Sequence, residues 1–261
     1  SRRRSTRIQH CHRRTLGSDD TRLDPVGIVS EIKGGPYGTA FLIDDCYALT
    51  AKHVIHHAEP IGRQVILRFV PWRQSNRLNT TSAIVVIAGG PPAAVSDSSQ
   101  DWVLLRLNRC LGHVLGHFAL SSVPVKLQNT DHIITPNLMA VGYSNDRSLA
   151  RRPTIDTTCR VRLITSFGLL HDCATLPSNS GGPLMAWNQD RGEYEVFAIN
   201  VAGEHDPVPR PFDLRSANVA VAIQGILPAL KALDRDNQRI RRPPAGRDDK
   251  IDYGAIKVTA P

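Results

Sequence analysis

No apolar run in this chain of 261 residues approaches the roughly 18 residues of a membrane-spanning helix, so no membrane span is expected. A hydrophobic signal core is missing from the start. The chain opens at Ser1 without a methionine, as expected of a processed or recombinant form. Among the five cysteines (Cys11, Cys46, Cys110, Cys159 and Cys173) there is no Cys-x-x-Cys pair, which argues against a structural zinc site. His53-Val-Ile-His56-His57 contains no glutamate, where zinc peptidase motifs of similar spacing carry one. Adventitious metal binding is the most that His10-Cys11-His12 suggests. Residues 1–18 hold no acid and six arginines (Arg2, Arg3, Arg4, Arg7, Arg13, Arg14), so most of the net charge of +8 sits in this arm. A nucleic-acid domain would carry its basic surface on the folded part, so no nucleic-acid partner is expected. The arm reads as a solvated tail or remnant leader, with attachment to an anionic surface as the alternative.

What is present is ordinary for a soluble globular protein: 41% hydrophobic and 21% charged residues. The length suits one large all-β domain or two small ones. After an Arg-, Ser- and His-rich arm over residues 1–24, short β-type stretches recur, separated by Gly, Pro, Asn and Ser clusters. They are Gly27–Ile32, Gly38–Ile43, Tyr47–Ala51, Gln64–Val70, Ala83–Ile87 and Trp102–Leu107, at the close spacing of a small barrel. A linker around Leu111–Pro124 leads to a second set: Val125–Leu127, Asn137–Tyr143, Thr158–Ile164, Leu169–Cys173, Pro183–Trp187, Tyr194–Val201 and Asn218–Val221. Ala222–Leu233 spaces its apolar residues helically. Pro228 fits badly inside a helix, which predicts a turn before it and a helix from there on. The expected organisation is a flexible arm (1–24), a first barrel (25–118), a second barrel with the C-terminal helix (119–235) and a mobile extension (236–261).

Chemistry concentrates at Pro177-Ser-Asn-Ser180-Gly-Gly-Pro-Leu184. A serine hydroxyl is a weak nucleophile at neutral pH and needs a base beside it and donors for the oxyanion it creates. Taken alone the octapeptide is equally a plain turn. Two distant stretches change that weighting: Ala48-Leu-Thr-Ala-Lys-His53, a strand ending in Thr-Ala-x-His, and Gln100-Asp101-Trp-Val-Leu-Leu-Arg-Leu107, a strand that begins with an aspartate.

In the order His53, Asp101, Ser180, these motifs resemble the chymotrypsin-fold serine peptidases, over about residues 27–227. Ala140-Val-Gly-Tyr-Ser-Asn-Asp-Arg147 and His171-Asp-Cys-Ala-Thr-Leu-Pro-Ser-Asn-Ser180 resemble the bacterial trypsin-like and glutamyl-endopeptidase branch. The resemblance implies an all-β fold of two six-stranded antiparallel β-barrels, with the active site in the cleft between them and a C-terminal helix. It implies a serine endopeptidase that needs no cofactor, with His53 as base, Asp101 as its partner and Ser180 as nucleophile. The oxyanion hole would be the backbone N–H groups of Ser178 and Ser180. The family usually has glycine at the place of Ser178, and a side chain there is expected to alter the peptide orientation. Asn179 replaces the aspartate with which animal relatives pair a new N-terminus, so activation by N-terminal insertion is not expected.

By the same resemblance the specificity pocket would include Ala174, Thr175, Asn200, Val201 and Gly203. Trypsin-type enzymes hold an aspartate where Ala174 stands. Thr175 matches a threonine of the glutamyl endopeptidases, whose histidine partner is replaced here by Asn200. A small or polar neutral side chain is therefore expected in the pocket, and Val201-Ala-Gly203 could pair with substrate as an added strand. The resemblance also pairs Cys159 with Cys173. Cys46 and Cys110, which flank strands of the first half, would form the second bridge, and Cys11 is left over. Bridges imply a secreted or periplasmic protein; free buried thiols in a cytosolic protein are the alternative. A monomer acting on polypeptides is expected. A silent homologue that binds peptide or protein in the same cleft is the rival function.

Overall fold

The computed structural model describes residues 14–15, 21–32, 37–55, 59–70, 79–90, 97–122, 138–144, 152–203, 213–214 and 217–241. Cys11, His10 and His12, His56 and His57, the strand expected at Val125–Leu127, Asn145–Arg147 and the chain beyond Arg241 lie outside the described residues. Among the described residues no helix is long and apolar enough to cross a membrane.

In chain order the elements are β1 (Arg14–Thr15), β2 (Val26–Glu31), β3 (Tyr37–Leu42), β4 (Tyr47–Thr50), β5 (Gln64–Phe69), β6 (Thr80–Ala88) and β7 (Val103–Leu107). Then come α1 (Gly112–Leu115), β8 (Ala119–Leu120), β9 (Leu138–Gly142), β10 (Thr154–Cys159), β11 (Val161–Thr165) and β12 (Gly168–His171). The last are β13 (Pro183–Asn188), β14 (Glu193–Ala202), β15 (Asn218–Ala222) and α2 (Ile223–Arg241). The first half closes into an antiparallel barrel in the order β2-β3-β4-β7-β6-β5. Alternation builds it: along β5, Val65, Leu67 and Phe69 turn inward and are at most 1% exposed, while Gln64 and Arg68 face out. Each such apolar side chain contributes about 1.5–3 kcal/mol by leaving water.

The second half is a curled nine-stranded sheet with the path β1-β10-β9-β13-β14-β15-β12-β11, and β8 pairs with β14. Thr158–Ile164, read as one strand, is two. β10 ends at Cys159 and β11 begins at Val161, so only Arg160 separates strands far apart in the sheet order. The sheet therefore curls until its ends meet at that bend. Its core packs Leu138, Val161, Leu169, Leu184 and Ala198 around the bridged Cys159 and Cys173.

Two expectations are corrected. Arg14 and Thr15, placed in the flexible arm, pair with Ile155 and Thr154 of β10. The helix begins at Ile223, ahead of Pro228, and runs to Arg241, into the region expected to be an extension. Pro228 is the sixth residue of α2, so it removes a single early hydrogen bond. The complete burial of Ile223 and Ile226 holds the first turn, and Gln224 Nε2 donates to the Ser122 carbonyl at 2.8 Å.

Both bridges form, Cys46–Cys110 and Cys159–Cys173. The first joins residues 64 apart in sequence, and a loop of that length corresponds to about 4 kcal/mol of lost denatured-state entropy. Cys46 and Cys110 are only half-buried, so their removal costs little packing. The Cys46→Ala/Cys110→Ala double variant is expected to lose about 4 kcal/mol in urea unfolding. A loss under about 1 kcal/mol would show that the cross-link does not restrict the unfolded chain in this way.

Candidate active site

His53 lies on a single 3-10 turn, Lys52–Ile55, that follows β4. Lys52 fixes the turn from beside it, donating to the carbonyls of Gly89 (3.0 Å) and Gly90 (2.8 Å). Asp101, just before β7, accepts two hydrogen bonds from His53: the backbone N–H on Oδ1 at 2.9 Å, and Nδ1 on Oδ2 at 2.7 Å. One carboxylate thus fixes both the main chain and the ring of the same residue. Asp101 is in turn seated by its own N–H, which donates to the Ser98 carbonyl at 3.0 Å.

Ser180 stands on the loop between β12 and β13, and Thr39 of β3 anchors that loop across the two halves. The Thr39 N–H donates to the Ser180 carbonyl (2.8 Å), and its Oγ1 donates to the Ser178 carbonyl (2.9 Å) while accepting from Tyr143 N–H (2.9 Å). Tyr143, fully buried, donates from its hydroxyl to the Val26 carbonyl at 3.3 Å. Gly181 has φ +86°, and a Cβ there would run into the Thr39 carbonyl, the Thr50 hydroxyl and the Ala51 amide. Only glycine fits. Asn179 is 4% exposed and secures the loop from inside: its Oδ1 accepts from Leu176 N–H at 3.0 Å and its Nδ2 reaches Thr154 Oγ1 at 3.5 Å.

Ser178 takes the left-handed conformation itself, φ +76°. The side chain therefore does not exclude the glycine-type backbone; it costs about 1–2 kcal/mol to hold there. The Thr39 bond to its carbonyl and the Tyr37 hydroxyl against its side chain offset that cost. Burial pushes the Tyr37 hydroxyl up in pKa and the contact with Ser178 pulls the other way. In this loop the amides of Asn179, Gly181 and Gly182 donate to Leu176, Asn200 and Asn179 carbonyls. Among the described residues, the amides of Ser178 and Ser180 have no acceptor.

A cavity of about 220 Å³ brings His53 and Ser180 together with Thr175, Leu176, Pro177, Asn200, Val201, Ala202 and Gly203. The Ser180 hydroxyl lies 3.5 Å from the Val201 carbonyl. Of the pocket residues read from the sequence, Thr175, Asn200, Val201 and Gly203 line this cavity. Ala174 does not; its N–H is bound to Asp156 Oδ2 at 2.8 Å. Ala202, within the Val201-Ala-Gly203 edge read from the sequence, lines it too, whereas Leu176 and Pro177 line it unforeseen, as direct sequence neighbours of residues that were singled out. His171 was also missed as a site residue. At the end of β12 it is wholly buried, and its Nε2 lies 3.1 Å from Asn200 Oδ1, across the intervening β15. In the sequence it opens the family-like stretch His171–Ser180 and closes an apolar strand, and neither feature marks it as part of the pocket.

A family model described as Trypsin matches residues 22–219. Among solved structures, one of a Glu endopeptidase in complex with MPD is similar with a TM-score of 0.61, at 16% identity, over 87% of this chain and 99% of that one. At that identity the likeness speaks for the fold. No curated protein sequence matches. With the family match spanning most of its length and the fold in agreement, the chain belongs to the trypsin family of peptidases.

Proposed function

We propose that this chain is a serine endopeptidase in which Ser180 is the nucleophile, His53 the general base and Asp101 the group that orients it. The observation that carries the reading is the double hydrogen bond from His53 to Asp101, beside a cavity that His53 shares with Ser180. With Nδ1–H committed to Asp101, Nε2 is the nitrogen with a free lone pair, and it takes the Ser180 proton as Oγ attacks the peptide carbonyl. The charge that develops on the carbonyl oxygen is received by the N–H groups of Ser178 and Ser180. His53 then hands its proton to the departing amine as the C–N bond breaks. A water molecule deprotonated by His53 hydrolyses the resulting ester and frees Ser180.

The two bridges support an oxidising setting for this protein, secreted or periplasmic. Similarity to a glutamyl endopeptidase does not carry that preference over, because Asn200 is uncharged where those enzymes have histidine. The exposed end of β14 at Ala202 offers an edge on which substrate backbone could lie as an added strand.

A fluorophosphonate probe tests the reading. Rapid labelling of the intact protein is expected, with loss in Ser180→Ala and in His53→Ala. A folded wild-type protein that stays unlabelled would overturn it in favour of a silent peptide-binding homologue.

A further inference from the structure

His171 carries information about the substrate. Its Nδ1 accepts the Cys173 N–H at 3.3 Å, so the proton of the neutral ring resides on Nε2, which donates to Asn200 Oδ1 at 3.1 Å. The ring stays neutral because complete burial lowers its pKa to about 4, against the upward pull of Asp172, Asn200, the Val219 backbone and Asp156. The oxygen of the Asn200 amide is thereby committed inward, and its N–H2 points the other way. Asn200 is 4% exposed and lines the cavity, and among the described residues its Nδ2 has no acceptor. Thr175 lines the same cavity, and its hydroxyl also has no partner among the described residues.

The charge inventory narrows the ligand. Apart from His53, none of the described residues lining the cavity is ionisable. The nearby carboxylates are engaged elsewhere. Asp172 binds the Arg160 amide and the Arg162 guanidinium, and Asp156 binds the Thr158 amide and hydroxyl and the Ala174 amide. Among these described residues a lysine or arginine would meet a donor and no counter-charge. An ionised carboxylate would be desolvated against neutral groups alone. An aliphatic side chain would leave the Asn200 N–H2 buried and unpaired, a loss worth roughly 10- to 100-fold. The volume, below the roughly 300–1,000 Å³ of sites for free organic ligands, suits one side chain.

We propose that this pocket takes an uncharged carboxamide, glutamine or asparagine, on the acyl side of the scissile bond, and that His171 is the positioning residue that aims the Asn200 N–H2 into it. The carboxamide oxygen accepts from Asn200 Nδ2, and its N–H2 donates to Thr175 Oγ1. The inference rests on the endopeptidase reading for its catalytic meaning, and on the pocket alone for its chemistry.

The test uses matched peptides that differ only in the acyl-side residue: Gln, Asn, Glu, Lys or Leu. Their kcat/KM is measured with the wild-type protein, and their binding to Ser180→Ala is measured by calorimetry. Gln or Asn is expected to lead the other three by roughly 10- to 100-fold in both. Asn200→Asp is expected to move the preference to Lys. His171→Phe is expected to lower kcat/KM for Gln while leaving that for Leu, a split that general loosening of the fold would not produce. A carboxamide ranking in binding without any cleavage would overturn the endopeptidase reading and support this one. A flat ranking, absent binding, or a lead by Glu, Lys or Leu overturns the carboxamide pocket whether or not peptides are cut.

Discussion

Asp101→Asn is expected to lower kcat by about 10⁴ with KM changed less than about threefold, the size being that observed for the same change in a relative of this fold. The direction follows from the two hydrogen bonds. The His53 backbone N–H is a donor and keeps the new amide's oxygen facing it, in the place of Oδ1. The amide N–H2 then faces Nδ1, where Oδ2 accepts in the native protein. Nδ1 must become the acceptor, so the ring proton moves to Nε2, and a protonated Nε2 cannot take the Ser180 proton. Fluorophosphonate labelling should slow in parallel, while affinity for product peptides is retained. A fully active Asp101→Asn enzyme would remove Asp101 from the mechanism.

Acid is expected to cost this protein about 3 kcal/mol through His171 alone, at about 1.36 kcal/mol per pKa unit. The unfolded chain takes up the proton at the ordinary histidine value of 6.5 and the folded one only at about 4, chiefly because the ring is completely buried. The folded pKa is the lower of the two. Stability is therefore complete above pH 6.5 and falls progressively as pH drops toward 4, where the loss levels off. Protonation would also take the Nδ1 lone pair from the Cys173 amide. Urea midpoints at pH 7, 5.5 and 4 for the wild type and His171→Gln check this. The wild type should fall by about 3 kcal/mol more than the variant over that range. Parallel losses in the two proteins would show that His171 is not the group that titrates.

The all-β class and the barrel of the first half were legible because period-two alternation, as in Gln64–Phe69, reports directly which face of a strand is buried. Where alternation fails, the reading failed: Thr158–Ile164 looked continuous because nothing local marks the bend at Arg160. The helix start at Ile223 was hidden by Pro228, whose local penalty is outweighed by buried isoleucines. At the site, sequence by itself determined which residues stand as candidates for the proposed chemistry: a histidine after Thr-Ala-x, an aspartate opening a strand, a serine before Gly-Gly-Pro. Those signals are local. Tertiary structure alone decided that Asp101 holds His53 at both its amide and its ring, that Thr39 holds the serine loop, and that Ser178 takes a glycine's conformation. It also decided the direction in which Asn200 points. That depends on the His171 ring proton, whose place Cys173 sets, and on His171 meeting Asn200, which happens only when β12 and β14 come to flank β15. Hydrogen-bond direction passes through contacts in space, and no spacing along the chain encodes it.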